Sequence, residues 1–269
     1  MLFLQSEREN TMTFGNGKIQ VPDQSLFPRH IHNEYEVFYF CEGDADYVVG
    51  SALYHLNPRD LLVIKPGDYH YLRLRSNAPY DRFYVHFTRE ELDLPADAVL
   101  ETGMFHIARD SMIHHFFETW AESQAVLPDA ELEAFVRSGV SMLLLLKQQL
   151  GQSPILPKEE NPVLKQILHY IDTHPEENLT AEDLAARFFV STSWIVHIFH
   201  RYLGITLMQY IRKKRILYAQ SLIRGGQAPT EVASKCQYEN YATFYRQYKA
   251  VLGYTPNEDK VLKKVPEEP

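Results

Sequence analysis

An internal repeat in the C-terminal third of the sequence constrains the fold more than any other feature. "EDLAARFFVSTSWIVHIFHRYLGIT", residues 182–206, is related to "TEVASKCQYENYATFYRQYKAVLGYT", residues 230–255, with a spacing that differs by one residue. In each copy a short helix with a small Ala is followed by a turn and a second helix that begins at polar residues. Because Ala lets two helices cross closely, this pattern predicts two helix-turn-helix units.

A basic helix is predicted between the two units, over residues 207–222, and it contains "IRKKR". At 1.5 Å per residue it spans about 25 Å, somewhat less than the roughly 34 Å of one turn of DNA. Two second helices held at this distance can enter successive segments of one major groove. A basic run by itself is more often a solvated helix face, so its position between the units carries the argument.

The formal net charge of −8 argues at first against nucleic acid as a partner, but the charge is unevenly distributed. Residues 1–179 carry 14 Lys and Arg against 27 Asp and Glu, whereas residues 180–260 carry 11 against 6. An acidic front and a basic back predict two domains with different partners. Only the basic part suits contact with phosphate.

Short alternating segments from about residue 18 to residue 88 predict strands. The segments are "YEVFYF", "ADYVVG", "SALYHLNP", "DLLVIKPGD", "YHYLRLRS" and "RFYVHFT". Six or more strands at this spacing indicate a small barrel or sandwich. From residue 108 the apolar period becomes helical, and "GQSPILPKEENP", residues 151–162, is typical of an interdomain linker.

The compartment is predicted from what the sequence lacks. Its first residues do not have the basic start and apolar core of a signal peptide, and no apolar run reaches membrane-spanning length. Cys41 and Cys236 lie far apart in sequence, which favours free thiols. We therefore expect a cytoplasmic protein without a membrane partner.

With these two units, and most of all with "FYRQYK" before "LGYTP", the sequence resembles the AraC/XylS family of bacterial transcription regulators. The resemblance covers the whole chain and implies an α+β fold of two domains. The implied parts are a cupin-like β-barrel sensor at 1–107, a helical dimerisation segment at 108–150, a linker at 151–161, a tandem helix-turn-helix domain at 162–260 and a charged tail at 261–269.

The family pattern implies that the second helix of each unit lies in the major groove. The implied DNA-binding residues are Ser193, Val196, His197, His200, Arg201, Arg212, Arg215, Tyr241, Ala242, Tyr245, Arg246 and Lys249. Arg246 is the best candidate for reading a guanine, because a guanidinium can pair bidentately with O6 and N7. Lys249, Arg201 and the cluster at 212–215 are expected to contact phosphate.

The sequence departs from the family in both units, with His197 where an Arg is usual and Gln237 where a turn Gly is usual. The helical spacing of several apolar residues predicts that they form the core rather than the DNA contacts. These are Trp194, Ile195, Ile198, Phe199, Phe244, Tyr248 and Leu252.

A cupin-like pattern lies in the front domain, where "HIHNEYE" is followed later by "KPGDYH". It provides His30, His32, Glu36 and His70, the residue types that metal-binding cupins gather around one ion. In the second motif Arg59 replaces the usual leading Gly. Three interpretations stay open: a divalent metal site, a pocket for a small polar ligand that Phe38 and Tyr84 also line, and buried histidines that only satisfy hydrogen bonds.

We expect a ligand-responsive regulator with no catalytic residues and no certain cofactor, and the alternative is a metal-dependent cupin enzyme or a metal-sensing regulator. A tandem helix-turn-helix has no obvious use in an enzyme. The resemblance implies an activator of a carbohydrate or small-metabolite operon, with promoter DNA, RNA polymerase and a sugar effector as partners. It also favours a homodimer, in which the stripe Val140, Leu143, Leu144 and Lys147 is either core or a dimer seam.

Overall fold

The computed structural model describes residues 12–92, 94, 100–147 and 154–262. The described chain divides into two compact units, one ending at Glu160 and the other beginning at Asn161. Each unit is described by itself below. Among the helices in the described ranges, none is long and apolar enough to cross a membrane.

Short antiparallel strands build the first unit. They are β1 (Thr13–Ile19), β2 (Tyr35–Glu42), β3 (Ala45–Val49), β4 (Ala52–His55), β5 (Asp60–Ile64), β6 (His70–Leu74), β7 (Tyr80–Phe87), β8 (Gly103–His106) and β9 (Glu159–Glu160). One sheet has the order β1-β7-β2-β5-β8 and the other the order β6-β3-β4-β9. Each of the six strand segments predicted from sequence lies on one of β2 to β7, so that prediction is confirmed.

The two sheets enclose an apolar interior because alternate residues of each strand point to it. On β2, Phe38 and Phe40 face the interior together with Leu62 and Ile64 of β5. Tyr47 and Leu72 reach the same cluster from the opposite sheet. The resulting sandwich has an apolar cluster in its interior and, as described below, polar side chains at one end.

Two helices cover the outer face of the five-stranded sheet, α1 (Met112–Ser123) and α2 (Asp129–Lys147). The ring of Phe117 stacks on Tyr39 with centroids 4.0 Å apart. Gly139 lets the two helices approach closely, since a Cβ there would lie 2.0 Å from the ring of Phe116.

The predicted stripe on α2 belongs to this intramolecular core. Val140, Leu143 and Leu144 are buried against α1 and the sheet within one chain. The hypothesis that they form a dimer seam is therefore wrong for these three residues, because their apolar surface is already covered. The side chain of Lys147 lies outside the described residues.

Part of the predicted linker joins the first unit. Ile155 pairs with Met104, and β9 pairs with Ala52 and Leu53 of β4. Residues 151–153 lie outside the described residues. The segment before Asn161 thus contributes an edge strand to the smaller sheet.

The second unit is helical, as predicted. Its helices are α3 (Pro162–Thr173), α4 (Ala181–Phe188), α5 (Thr192–Leu203), α6 (Leu207–Arg224), α7 (Pro229–Lys235), α8 (Tyr241–Leu252) and α9 (Pro256–Leu262). The pairs α4–α5 and α7–α8 form the two predicted helix-turn-helix units, and α6 is the helix between them. Ser191 and Asn240 cap α5 and α8 through their side-chain oxygens, as short polar residues at this position commonly do.

Both helix-turn-helix turns place a residue other than Gly in the left-handed region. Phe189 has φ 55° and Gln237 has φ 61°. Gln237, which stands where the family usually has Gly, thus occupies a backbone conformation that favours Gly. Arg59 in the first unit repeats this situation with φ 74°.

Most of the predicted core residues of the second unit are buried. Ile195, Ile198, Phe199, Phe244 and Tyr248 have at most 4% of their surface exposed. Trp194 and Leu252 are only half-buried, so the prediction that they lie in the core is partly confirmed for both. Leu252 packs against the cluster around Phe244.

Candidate metal centre and nucleic-acid interface

Three separate segments bring the predicted cupin-type residues together. His30 precedes β2 and forms a bridge with His70, the first residue of β6, through backbone hydrogen bonds of 3.0 and 3.1 Å. Glu36 lies on the inner face of β2, and His32 stands four residues before it. One ligand atom from each of these four residues lies within 4.8 Å of the others. The structure therefore confirms that these four residues converge.

The histidines surround one oxygen of Glu36. Nε2 of His70 lies 3.1 Å from Oε2, and Nε2 of His32 lies 3.3 Å from it. Oε1 accepts a hydrogen bond of 3.2 Å from the hydroxyl of Tyr47. Glu36 has only 4% of its surface exposed, so its charge is compensated by these neighbours rather than by water.

The other ring nitrogen of each cluster histidine is held by a backbone carbonyl. Nδ1 of His30 donates to Pro28 at 2.9 Å, that of His32 to Glu34 at 3.0 Å and that of His70 to Asp68 at 2.7 Å. In a neutral imidazole these bonds leave the lone pair on Nε2, directed into the cluster. This is the arrangement by which proteins orient histidine ligands of metal ions.

One buried atom tests whether a cation fits here. Nε2 of His70 is fully buried and has no hydrogen-bond partner among the described residues, although Oε2 of Glu36 is close. A lone pair that faces a carboxylate is unfavourable unless a proton or a cation lies between them. The donor set of three imidazoles and one carboxylate suits a divalent transition-metal ion, so the residues fit such a group.

Burial and neighbouring charges set the protonation states of the cluster. Burial lowers the pKa of His30 to about 4, and the neighbouring His70 adds to the effect, so His30 is neutral at pH 7. Burial also opposes the charge of Glu36, but the imidazoles of His32, His70 and His86 hold its pKa well below the usual range. Burial also acts to lower the pKa of His32. The contact of His32 with Glu36 outweighs burial, so the pKa of His32 is raised above its usual value.

His86 on β7 is a member of the site that the sequence analysis missed. It pairs directly with Glu36 in the β2–β7 register, and its Nε2 lies 3.2 Å from Oε2 of Glu36. The sequence did contain a hint of this, because His86 stands two residues after Tyr84 on the same predicted strand, and Tyr84 was predicted to line the site. Only the register shows that this alternation brings an imidazole to the carboxylate.

The two aromatic residues predicted beside the cluster have different surroundings. Phe38 is 3% exposed and packs in the interior against the ring of Tyr47, 4.8 Å away. Tyr84 is half-buried, with its ring 5.5 Å from that of His86. Tyr84 therefore adjoins the cluster directly, whereas Phe38 lies among the core side chains.

The predicted DNA-binding residues lie on the outer faces of the second helices. On α5 the exposed residues include all five predicted ones, namely Ser193, Val196, His197, His200 and Arg201. On α8 the predicted residues Ala242, Tyr245, Arg246 and Lys249 are exposed. Tyr241 is half-buried against Phe244, with ring centroids 5.8 Å apart, so it also supports the core.

The two basic residues proposed on α6 are not equivalent. Arg212 is exposed. Arg215 is half-buried, and its Nη2 donates to the carbonyl of Glu177 at 2.9 Å. Arg215 therefore helps to hold the loop between α3 and α4. This is a structural role in addition to the predicted contact with phosphate.

A β-sandwich with convergent ligand groups, followed by two helix-turn-helix units, defines a ligand-responsive DNA-binding regulator. Two family models match the chain accordingly: the AraC-like ligand binding domain at residues 17–138 and a helix-turn-helix domain at residues 184–260. The chain belongs to the AraC family of transcriptional regulators. Because this family consists of regulators, the prediction that the chain is not an enzyme is confirmed.

Two relatives and one solved structure illustrate what this chain is similar to. The HTH-type transcriptional regulator YdiP of Escherichia coli is 22% identical over 240 residues, which cover 85% of this chain and 79% of that protein. YbfI of Bacillus subtilis, also an HTH-type transcriptional regulator, is 22% identical over 77% of both chains. The crystal structure of ToxT from Vibrio cholerae aligns with a TM-score of 0.42 and 12% identity, over 95% of this chain and 99% of that one.

Proposed function

We propose that this protein is a cytoplasmic regulator whose sensor unit holds a divalent metal ion and whose promoter binding responds to a small oxygen-rich metabolite. His30, His32, Glu36 and His70 are the ligands. The observation that carries the proposal is the convergence of these four side chains within 4.8 Å, with each imidazole fixed by a backbone carbonyl. Such an ion supplies a positive charge and open coordination positions for an oxygen-bearing effector.

The effector acts by differential affinity, because a ligand shifts an equilibrium only if it binds one arrangement more tightly than another. Imidazoles, a carboxylate and ring faces suit a hydroxyl-rich molecule, so a carbohydrate or a derivative of one is the proposed class. The regulated step is promoter binding, and the protein acts as an activator that works with RNA polymerase.

For the DNA interface we propose the exposed faces of α5 and α8, with Arg246 reading a base edge and Lys249, Arg201 and Arg212 binding phosphate. A homodimer supplies two such interfaces. Its contact surface lies elsewhere than on Val140, Leu143 and Leu144, since these are buried within one chain.

Metal analysis of full-length protein purified without chelator tests the sensor proposal. We expect stoichiometric divalent metal that survives dialysis. Replacing His32 or His70 with Ala should abolish it, whereas His115→Ala should retain it, because His115 is an exposed residue of α1 outside the cluster. Circular dichroism checks that each variant folds. Protein without metal, or metal that persists in both cluster variants, contradicts the proposal.

A further inference from the structure

Four alternate residues of β7 face the interior of the sandwich and form a polar row that leads away from the cluster. They are Tyr80, Arg82, Tyr84 and His86, here called the β7 ladder. In the register with β2, Glu36 lies opposite His86, Phe38 opposite Tyr84 and Phe40 opposite Arg82. Because β2 places Phe38 and Phe40 in the interior, the β7 ladder lies on the interior side as well.

Three aromatic rings lie around the guanidinium of Arg82. Its guanidinium carbon lies 5.2 Å from the ring centroid of Tyr84, 5.4 Å from that of Tyr80 and 5.8 Å from that of Phe27. Within the described ranges, no carboxylate forms an ion pair with it. Ring faces orient a guanidinium but leave its N–H groups to be satisfied, and a planar carboxylate satisfies them best.

The hydroxyl of Tyr80 provides an independent observation at the same place. Tyr80 is 1% exposed, and its hydroxyl has no hydrogen-bond partner in the part of the chain that the structure describes. A buried hydroxyl without a partner is costly, so a bound water or ligand group that pairs with it is favourable. Burial raises the pKa of Tyr80, while the nearby Arg82 lowers it, so the group remains a hydroxyl donor.

Tyr84 connects Arg82 with the cluster. Its ring lies 5.5 Å from that of His86 and covers Gly15 of β1, where a Cβ would lie 2.9 Å from the tyrosine hydroxyl. Any other residue at position 15 would displace this ring. From Arg82 to His86 the strand rises about 13 Å.

We propose that the β7 ladder binds the carboxylate of the effector, so that the effector is a hydroxyl-rich carboxylic acid such as a sugar acid. Arg82 pairs with the carboxylate, Tyr80 donates a hydrogen bond to it, and Tyr84 contacts the body of the molecule, whose hydroxyl end lies at the cluster. One guanidinium and one neutral hydroxyl match a single negative charge better than the double charge of a phosphate. This inference rests on the proposed function only in taking the cluster as the other end of the effector site.

Calorimetric titration with matched sugars tests it. The probes are D-glucuronate against D-glucose and D-galacturonate against D-galactose, with glucose 6-phosphate as the phosphate counterpart, added to full-length protein. In wild type we expect at least one acid to bind at least about tenfold more tightly than its neutral sugar. Arg82→Gln should remove this difference, Arg82→Lys should retain part of it, and Tyr80→Phe should weaken acid binding about fivefold.

Arg109→Gln is the matched control, because Arg109 is an exposed arginine of the same unit that lies outside the ladder. It should bind all probes as wild type does. The metal content of Arg82→Gln should equal that of wild type, which separates this test from the test of the cluster. Equal binding of acid and neutral sugar, no saturable binding of either acid up to millimolar concentration, or an equal preference for the sugar phosphate overturns the proposal.

Discussion

Nε2 of His70 lies 3.1 Å from Oε2 of Glu36, although the proton of this imidazole is committed to the carbonyl of Asp68 through Nδ1. Both groups are buried, so water does not relieve the contact. A cation between them turns an unfavourable contact into two coordinating bonds. A second proton on the imidazole, which makes this contact a hydrogen bond, satisfies the pair as well, so metal removal distinguishes the two cases.

Metal removal should therefore lower the stability of the sensor unit. We expect chelator-treated protein to melt at a lower temperature than untreated protein and added Zn²⁺ or Mn²⁺ to restore it, because an ion that binds only the folded state stabilises it by mass action. A metal concentration of about 100 times Kd corresponds to about 2.7 kcal/mol. Differential scanning calorimetry measures the shift, and His70→Ala should show no response to metal. Identical melting with and without chelator speaks against the site.

Gln237→Gly should stabilise the second helix-turn-helix unit. The native φ of 61° destabilises a residue that has a Cβ by about 1–2 kcal/mol, and Gly removes this strain. Because Gly also loses more backbone entropy on folding, the net gain in the free energy of unfolding is about 0.5–1 kcal/mol. Chemical denaturation of the full chain measures it. Gln227→Gly is the control and should destabilise, since Gln227 is not among the residues with positive φ. A loss of stability in Gln237→Gly would show that the side chain has a role that outweighs the strain.

Gly139→Ala should destabilise the helical layer on the sensor sheet by about 1–3 kcal/mol, because the added Cβ would lie 2.0 Å from the ring of Phe116 and force the helices apart. Thermal unfolding measures the effect. Gly139→Ala should lower the free energy of unfolding less in a Phe116→Leu background than in the wild type, because the smaller side chain leaves room for the added Cβ. Additive effects of the two changes would contradict the proposed close approach.

Asp259→Asn should weaken the packing of α9 on α6 and α8. Asp259 is 1% exposed, accepts a hydrogen bond of 2.8 Å from Nε of Arg224 and also accepts one from the hydroxyl of Tyr248. Removing the charge takes the carboxylate from Arg224, which is partly exposed and also donates to the hydroxyl of Tyr254, so we expect a loss of about 2–3 kcal/mol. Faster hydrogen exchange in α6 and α8 reports this loss, and Glu239→Gln, an exposed carboxylate, is the control.

Arg246→Ala and Lys249→Ala should have different effects on DNA binding. Loss of a bidentate guanine contact costs about 1–3 kcal/mol and relaxes the preference at one base position, whereas loss of a phosphate contact weakens binding to all sequences and lowers its salt dependence. Selection of binding sites from randomised DNA, followed by titration at several salt concentrations, distinguishes the two. If neither variant changes binding, the second unit does not read DNA as proposed.

Local patterns in the sequence were sufficient for most of the architecture. The two helix-turn-helix units, the six strand segments and the grouping of His30, His32 and Glu36 depend on spacings of a few residues, and the structure agrees with each. His70 lies on a different strand and was grouped with them through the resemblance to the cupin pattern. Even the unusual Gln237 was recognisable as a residue where the turn favours Gly. Such features are visible in sequence because backbone geometry alone relates neighbouring residues to one face or one turn.

Other features depended on which distant segments pack together. The register of β7 on β2 brought His86 to Glu36 and placed Arg82 and Tyr80 on the interior side. The apolar spacing on α2 is compatible with either an intramolecular core or a dimer seam. Only the packing of α2 against α1 and the sheet shows that Val140 and its neighbours are covered within one chain. Strand register and helix packing are set by the whole buried interface, so a single segment does not contain them.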